Sequence, residues 1–318
     1  MTLPSLVDLM KGAKPFEIKL KFSHRSETSR FGLLFEGENG WAEFAPFSYH
    51  SATHQARWLQ AALEMGWGNL PEPKFKKVLV NSIVPTLPLT QVETLVKNNG
   101  AQTVKVKFAS KSLKSDIEIL EKIASVINKP KFRIDFNQGL TSDLVEGYLA
   151  ALSDFEIEYL EEPSKDKLII DKIKDSFALA IDESIRLQNN AVDLTWVNEF
   201  SWADYWILKP IPLGGFARTQ QLAEVATKPI VISGSFDSSC GLYLTTLSAS
   251  WLSDLPAGAA TGSLLETDVI ENPLKPVNGE IVVEKVVPEI IHPPAEAIIG
   301  KLFRQLEAAY YELVQLEG

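Results

Sequence analysis

Apolar and polar residues alternate through residues 16–22 and again through 31–35. Alternation at period two predicts β-strands with one buried face. The polar stretch 23–30 reads as the loop between them, and residues 41–44 predict a third strand. Residues 51–65 switch to helical spacing, with Ser51 or Thr53 as candidate caps. Residues 66–73 are dense in Gly and Pro and read as a linker. Together these elements predict a small α+β capping domain over residues 1–75.

The rhythm then changes. Over residues 76–288, short β-rich runs alternate with helical stretches. Strands are predicted at 78–83, 103–108, 132–136, 157–160, 179–181, 205–208 and 230–233, with a weaker eighth near 260–265. Helical patterns lie between them, at 89–98, 113–127, 142–152 and 217–226. Eight strand-then-helix units predict an α/β fold, a parallel (β/α)8 barrel. A doubly wound open sheet is the competing arrangement. It usually carries a Gly-rich phosphate loop after its first strand, and residues 80–85 contain no glycine. Pro293 and Pro294 open a last segment, 289–318, in which Ile298, Ile299, Leu302, Phe303, Leu306, Tyr310 and Leu313 fall at helical spacing. This helix is expected to return to the N-terminal domain and complete it.

Composition narrows the partners. The chain has 318 residues, 45% of them hydrophobic, and a formal charge of −10. That acidity argues against nucleic acid or an anionic membrane as partner, and no apolar run is long enough to span a bilayer. The single cysteine, Cys240, allows no internal disulfide, and the N-terminus lacks a signal-peptide pattern. A cytoplasmic protein is therefore expected. Nothing in the sequence marks an oligomer interface.

In a parallel barrel, chemistry sits at the C-terminal ends of the strands. Lys105 and Lys107 lie two apart on the second strand and share a face. Burying them is costly unless they meet anions, although a solvated edge strand with alternating lysines also accounts for the pair. The third strand ends with Arg133, Asp135 and Asn137 on one face, Arg133 and Asn137 being candidates to meet a substrate, the fourth with Glu161 and Glu162, the fifth with Asp182 and Glu183. Acids that cap helices explain any one of these. They explain three successive strands poorly. Neighbouring strands lie about 5 Å apart, so Asp135, Glu161 and Asp182 can converge, and converging carboxylates call for a cation, with Mg²⁺ the ion that prefers all-oxygen sites. Lys209 ends the sixth strand, opposite the second, where it faces Lys107 and can act as a general base. Ser233, Gly234 and Ser235 end the seventh and form a hydroxyl- and amide-rich wall suited to a substrate carboxylate, or a plain turn.

The order Lys-x-Lys, Asp-x-Asn, Glu-Glu-Pro, Asp-Glu-Ser, Lys-Pro resembles the enolase superfamily and, within it, the muconate-lactonizing-enzyme subgroup. The resemblance covers essentially the whole chain. It implies an enolase-type (β/α)7β barrel with an α+β cap, whose loop at 23–30 closes over the substrate. It implies Asp135, Glu161 and Asp182 as ligands of one Mg²⁺ ion (Mn²⁺ substituting), Glu183 just outside them, Lys105 beside a substrate carboxylate, and Lys107 and Lys209 as the acid/base pair. With no histidine between His54 and His292, a His-Asp base of the mandelate-racemase type is not expected. The segment 233–241 and Arg133 are similar to those of o-succinylbenzoate synthases, which implies a hydro-lyase of menaquinone biosynthesis acting on a small carboxylate. N-acylamino acid racemases and dipeptide epimerases share the scaffold, although Glu266 and Asp268 match the epimerase's Asp-x-Asp imperfectly. A non-catalytic binding barrel would lack a ligand or a lysine, and none is missing.

Overall fold

The structure is a computed structural model and describes residues 4–24, 27–108, 112–188 and 190–317. Helix α1 (Leu6–Gly12) precedes an antiparallel sheet of β1 (Lys14–His24), β2 (Glu27–Gly37) and β3 (Gly40–Phe44), in that order. Helix α2 (Ala52–Trp67) follows, and Ser51 caps it by accepting the His54 amide. The stretch 23–30 is therefore mostly strand rather than loop. Its tip, Arg25 and Ser26, lies outside the described residues. Polar side chains extend these strands because they find partners: the Ser29 hydroxyl donates to Glu17 at 2.7 Å, and buried Arg30 donates to the Ala45 carbonyl. Helix α2 also runs through Gly66 to Trp67, into the predicted linker.

The second unit contains β4 (Lys77–Leu79), β5 (Ser82–Val84), α3 (Leu89–Asn99), β6 (Thr103–Lys107), α4 (Leu113–Ala124), β7 (Lys131–Asp135), α5 (Val145–Leu152), β8 (Ile157–Glu161), α6 (Lys167–Ile173), β9 (Leu179–Ile181), α7 (Glu183–Arg186), β10 (Tyr205–Leu208), α8 (Pro210–Leu213), α9 (Phe216–Val225), β11 (Ile230–Ile232), α10 (Ser239–Leu252) and β12 (Glu280–Val282). Strands β5 to β11 pair in parallel in chain order. The predicted first strand splits in two. β4 pairs antiparallel with β12, and β5 enters the barrel.

The eighth strand is shorter than expected and lies upstream of its predicted place. Residues 260–264 form a 3₁₀ turn, and Ala257 and Gly258 close the ring instead. Ala257 donates to Leu79 and accepts from Asn81, while Gly258 donates to Ile232 and accepts from Gly234. Four backbone hydrogen bonds close the barrel through two residues.

Alternation sets the barrel's two layers. Val104, Val106, Ile134 and Leu160 point outward and pack with Val92, Val96, Ile119, Leu120 and Ile123 of α3 and α4. The residues between them point inward. The terminal helix α11 (Glu296–Glu317) packs on α2, burying Leu302, Leu306, Ala309 and Leu313. The fold thus sets the open end of the barrel beneath the β1–β3 sheet and α2.

Candidate active site

A cavity lies between the barrel mouth and the cap. Lys105, Lys107, Asp135, Asn137, Asp182, Glu183, Lys209, Ser233, Gly234 and Ser235 line it, so most predicted site residues meet there. Strand register explains the gathering. Lys107 pairs with Asp135, and Asp135 with Glu161, so three strand ends stand level. Strands β6 and β10 are four apart in the sheet, which sets Lys107 and Lys209 on opposite sides of the mouth.

The acids are held by cations. Lys105 Nζ lies 2.6 Å from Glu161 Oε1 and 3.1 Å from Asp135 Oδ2. Lys209 Nζ donates to Asp182 Oδ2 at 2.6 Å, and Arg186 Nε to Asp182 Oδ1 at 3.2 Å. Burial opposes the charge on Lys105, but Asp135, Glu161 and Asp182 outweigh it and hold the ammonium well above the ordinary lysine range. Burial pushes Glu161 up to about 8; Lys105 opposes the rise, and Asp135 and Asp182 add to it.

The donor set suits a hard divalent cation: three carboxylates on adjacent strands, with Glu161 Oε2 buried and without a hydrogen-bond partner. The lysine ammonium groups lie on these oxygens. Among the described residues, no three His, Cys, Asp or Glu side chains stand close enough together to hold a metal. A metal at Asp135, Glu161 and Asp182 therefore requires their side chains and the two lysines to rearrange.

Two expectations need correcting. Arg133 does not reach the cavity. It is fully buried inside the barrel, with Nε 2.5 Å from Glu158 and Nη1 donating to Asn81 Oδ1 at 2.8 Å and to the Pro256 carbonyl at 2.6 Å. It sits one inward-facing layer below Asp135, where it has carboxylate and carbonyl partners and no path to a ligand. The predicted hydroxyl- and amide-rich wall offers its hydroxyls and not its amides. The Ser233, Gly234 and Ser235 amides donate to Leu208, Gly258 and Asp237 respectively. Closing the barrel consumes two of these donors, and the Ser233 and Ser235 hydroxyls remain to meet a ligand. Asn137 lines the cavity but turns its amide onto Asp135, as does its backbone N–H at 3.0 Å.

Other residues, or the parts they play, escaped the sequence reading. Glu162 accepts from the Asp182 and Ser184 amides at 2.8 Å each, and from Gln138 and the Ser184 hydroxyl. It thereby fixes the turn that presents Asp182. Arg186 follows Asp182 by four, a helical spacing that could have flagged it. From the cap, Phe47, Tyr49, His50 and Trp58 form an aromatic roof, with ring centroids 5.3 Å apart for Phe47 and Tyr49 and 4.8 Å for Tyr49 and His50. A histidine thus borders the mouth after all, from the cap rather than a strand end. From the 3₁₀ turn only Thr261 lines the cavity. Asp268 is buried, accepting from the Ser239 amide and hydroxyl, and neither it nor Glu266 lines the site.

Residues 89–288 match the family model described as enolase C-terminal domain-like, and residues 16–66 that described as enolase N-terminal domain-like. The chain is 35% identical to the o-succinylbenzoate synthase of Thermobifida fusca over 283 residues, covering 86% of this chain and 87% of that protein. It is 34% identical to the o-succinylbenzoate synthase of Mycolicibacterium smegmatis over 295 residues, or 90% of each. Among solved structures it is similar to the L-Ala-D/L-Glu epimerase of Bacillus subtilis (TM-score 0.69, 16% identity, 86% of this chain and 95% of that one). It is also similar to a muconate cycloisomerase of Pseudomonas fluorescens (TM-score 0.66, 13% identity, 91% and 96%). At those identities the structural likeness speaks for the fold. Among the described residues, no helix is long and apolar enough to cross a membrane.

Proposed function

The chain belongs to the o-succinylbenzoate synthase family of the enolase superfamily, and from that premise we propose how its barrel mouth works. It dehydrates 2-succinyl-6-hydroxy-2,4-cyclohexadiene-1-carboxylate to o-succinylbenzoate, a step of menaquinone biosynthesis. The observation that carries the reading is the pairing of Lys107 and Lys209 across the mouth, with Asp135 and Asp182 lining the space they share.

A proton next to a carboxylate is only weakly acidic, so its removal needs positive charge on the carboxylate oxygens as the enediolate forms. Members of the superfamily generally use a divalent metal, usually Mg²⁺. Asp135, Glu161 and Asp182 would hold it here, and when bound it supplies that charge as a Lewis acid. Lys105 adds a second cation beside the same oxygens. Lys107 takes the α-proton, and the resulting ammonium returns it to the departing hydroxyl on the same face: one C–H and one C–O bond break, a ring double bond forms and water leaves. Lys209, donating to Asp182, stays charged and supports the enediolate from the opposite face. Aromatisation makes the elimination favourable.

An N-acylamino acid racemase uses the same lysine pair alternately as base and acid. A dipeptide epimerase needs an acid at the eighth strand to hold an amine, and the buried hydrogen bonds of Asp268 speak against it. The test is incubation of the purified protein with the cyclohexadiene and Mg²⁺. Formation of o-succinylbenzoate, identified by NMR, is expected. No turnover by folded, metal-loaded protein sinks the assignment, and α-proton exchange of N-acylamino acids in D₂O would then favour the racemase.

A further inference from the structure

The proposed chemistry leaves Glu43 unused. This residue sits on β3, in the cap, and is 2% exposed. Its carboxylate crosses to the barrel. Oε2 accepts from the Ser238 amide at 3.1 Å and the Gly241 amide at 3.2 Å, and the Ser238 hydroxyl donates to the same oxygen. These donors belong to the start of α10, where four amides lack partners within the helix. The helix's own cap, the Ser238 hydroxyl oxygen, takes only the Cys240 amide, at 3.1 Å.

Helix α10 follows directly on the wall at residues 233–236, and neighbouring contacts tie that wall to the cap as well. Arg30 Nε donates to the Phe236 carbonyl at 3.4 Å, its terminal nitrogen donates to Ala45, and its guanidinium lies 3.8 Å over the Phe47 ring of the roof. Asp237, fully buried, accepts the Ser235 amide at 2.9 Å. Gly241 leaves the space that Glu43 enters, since a Cβ there would lie 3.0 Å from Glu43 Oε2 and 3.0 Å from Asp237 Cβ.

Two buried acids share this place with the Arg30 guanidinium. Burial pushes Glu43 up to about 7; Asp237 adds to the rise, while Ser238 and Arg30 oppose it. A helix start needs no such arrangement, because a serine or aspartate on its own loop suffices. What Glu43 adds is a connection between the cap and the hydroxyl wall.

We propose that Glu43 is a positioning residue: by pinning Ser238 and Gly241 to the cap, it fixes the wall at residues 233–236 so that wall and roof take up the substrate as one unit. Glu43 touches no reacting atom. The proposal rests on the reading above, in which this wall meets the substrate.

Amide hydrogen exchange and steady-state kinetics on Glu43→Ala and Glu43→Gln test it. Losing charge-assisted hydrogen bonds of this kind is expected to speed exchange at residues 235–241 by about tenfold or more in Glu43→Ala. KM should rise by about tenfold while kcat stays within about twofold, because the loss falls on binding. Glu43→Gln retains one acceptor and should fall between, with a smaller KM increase. Unchanged exchange overturns the proposal, and so does a fall in kcat with KM unchanged. If the alanine variant does not fold, the glutamine variant carries the same comparison. Absence of turnover by the wild-type protein sinks the proposed reaction instead, and exchange then decides on the pinning alone.

Discussion

The two sides of the mouth are built differently. From β6 to β10, five neighbouring strands bring Lys105, Lys107, Asp135, Glu161, Asp182 and Lys209 to one rim; strand order sets their sequence around it, and register levels Lys107, Asp135 and Glu161. From β11 through Ala257 and Gly258, the rim carries hydroxyls, and the cap covers it with aromatic rings. On the proposed reading, the first side meets the reacting atoms and the second meets what distinguishes one substrate from another. Charged groups placed by strand register can change little without breaking the sheet. A wall held by side chains from distant parts of the chain can be altered with the barrel intact. That division lets one barrel serve several reactions.

The sharpest way to break the comparison is to withhold divalent cations. Chelation should reduce turnover to background and added Mg²⁺ should restore it; Asp182→Asn should weaken Mg²⁺ binding on the order of a hundredfold by calorimetry. Metal-independent turnover would remove the reason for the carboxylates to converge. Next comes Arg133, which belongs beneath the charged rim and away from the substrate. Arg133→Met leaves Glu158, whose side chain is 9% exposed, without its partner and should cost about 3–5 kcal/mol of stability in urea unfolding, with KM unchanged in protein that remains folded. A large KM effect would return Arg133 to the substrate. On the other side, His50→Ala in the roof should raise KM several-fold and leave kcat and Mg²⁺ affinity alone. A matching loss of kcat would bring the roof into the chemistry.

The smallest expected effect is one of pH. Burial raises Glu43 from 4.5 to about 7 in the folded protein. Between those values the folded state holds a proton that the unfolded chain has released. Its contribution to stability is therefore fully present below about pH 4.5 and declines as pH rises to about 7. Arg30 from β2, Asp237 from the segment before α10 and Cys240 from α10 face it. Glu43→Gln should flatten the change in unfolding free energy over that window, measured by urea titration at several pH values. Equal slopes in both proteins would mean that Glu43 is charged throughout.

The same contrast explains what the sequence made legible. Lys105, Lys107, Asp135 and Glu161 stand within single strands, so alternation aims them, and Asp182 follows directly on the end of β9. Helix α10 went unread because every residue from Ser239 to Ser250 is buried, and a helix buried all round has no polar stripe to mark its period. The eighth strand misled because two residues carry no alternation. Its backbone pairs Gly258 with Ser233 at the end of β11 and Ala257 with Val80 between β4 and β5, and only the closed ring shows that. The roof and the Glu43 contact join residues far apart in the chain, Glu43 to Ser238 across 195 positions. Nothing in local spacing announces such a pair. Arg133 was misjudged because strand alternation gives the face a side chain takes and not its depth along the barrel.

The account depends most on Lys107 moving the proton. The direct measurement is the rate of diene conversion by Lys107→Ala beside the wild-type protein, with o-succinylbenzoate and Mg²⁺ binding measured on the same preparations. The account predicts a loss on the order of a thousandfold in turnover with both affinities kept. A Lys107→Ala protein that converts the diene at the wild-type rate would contradict it.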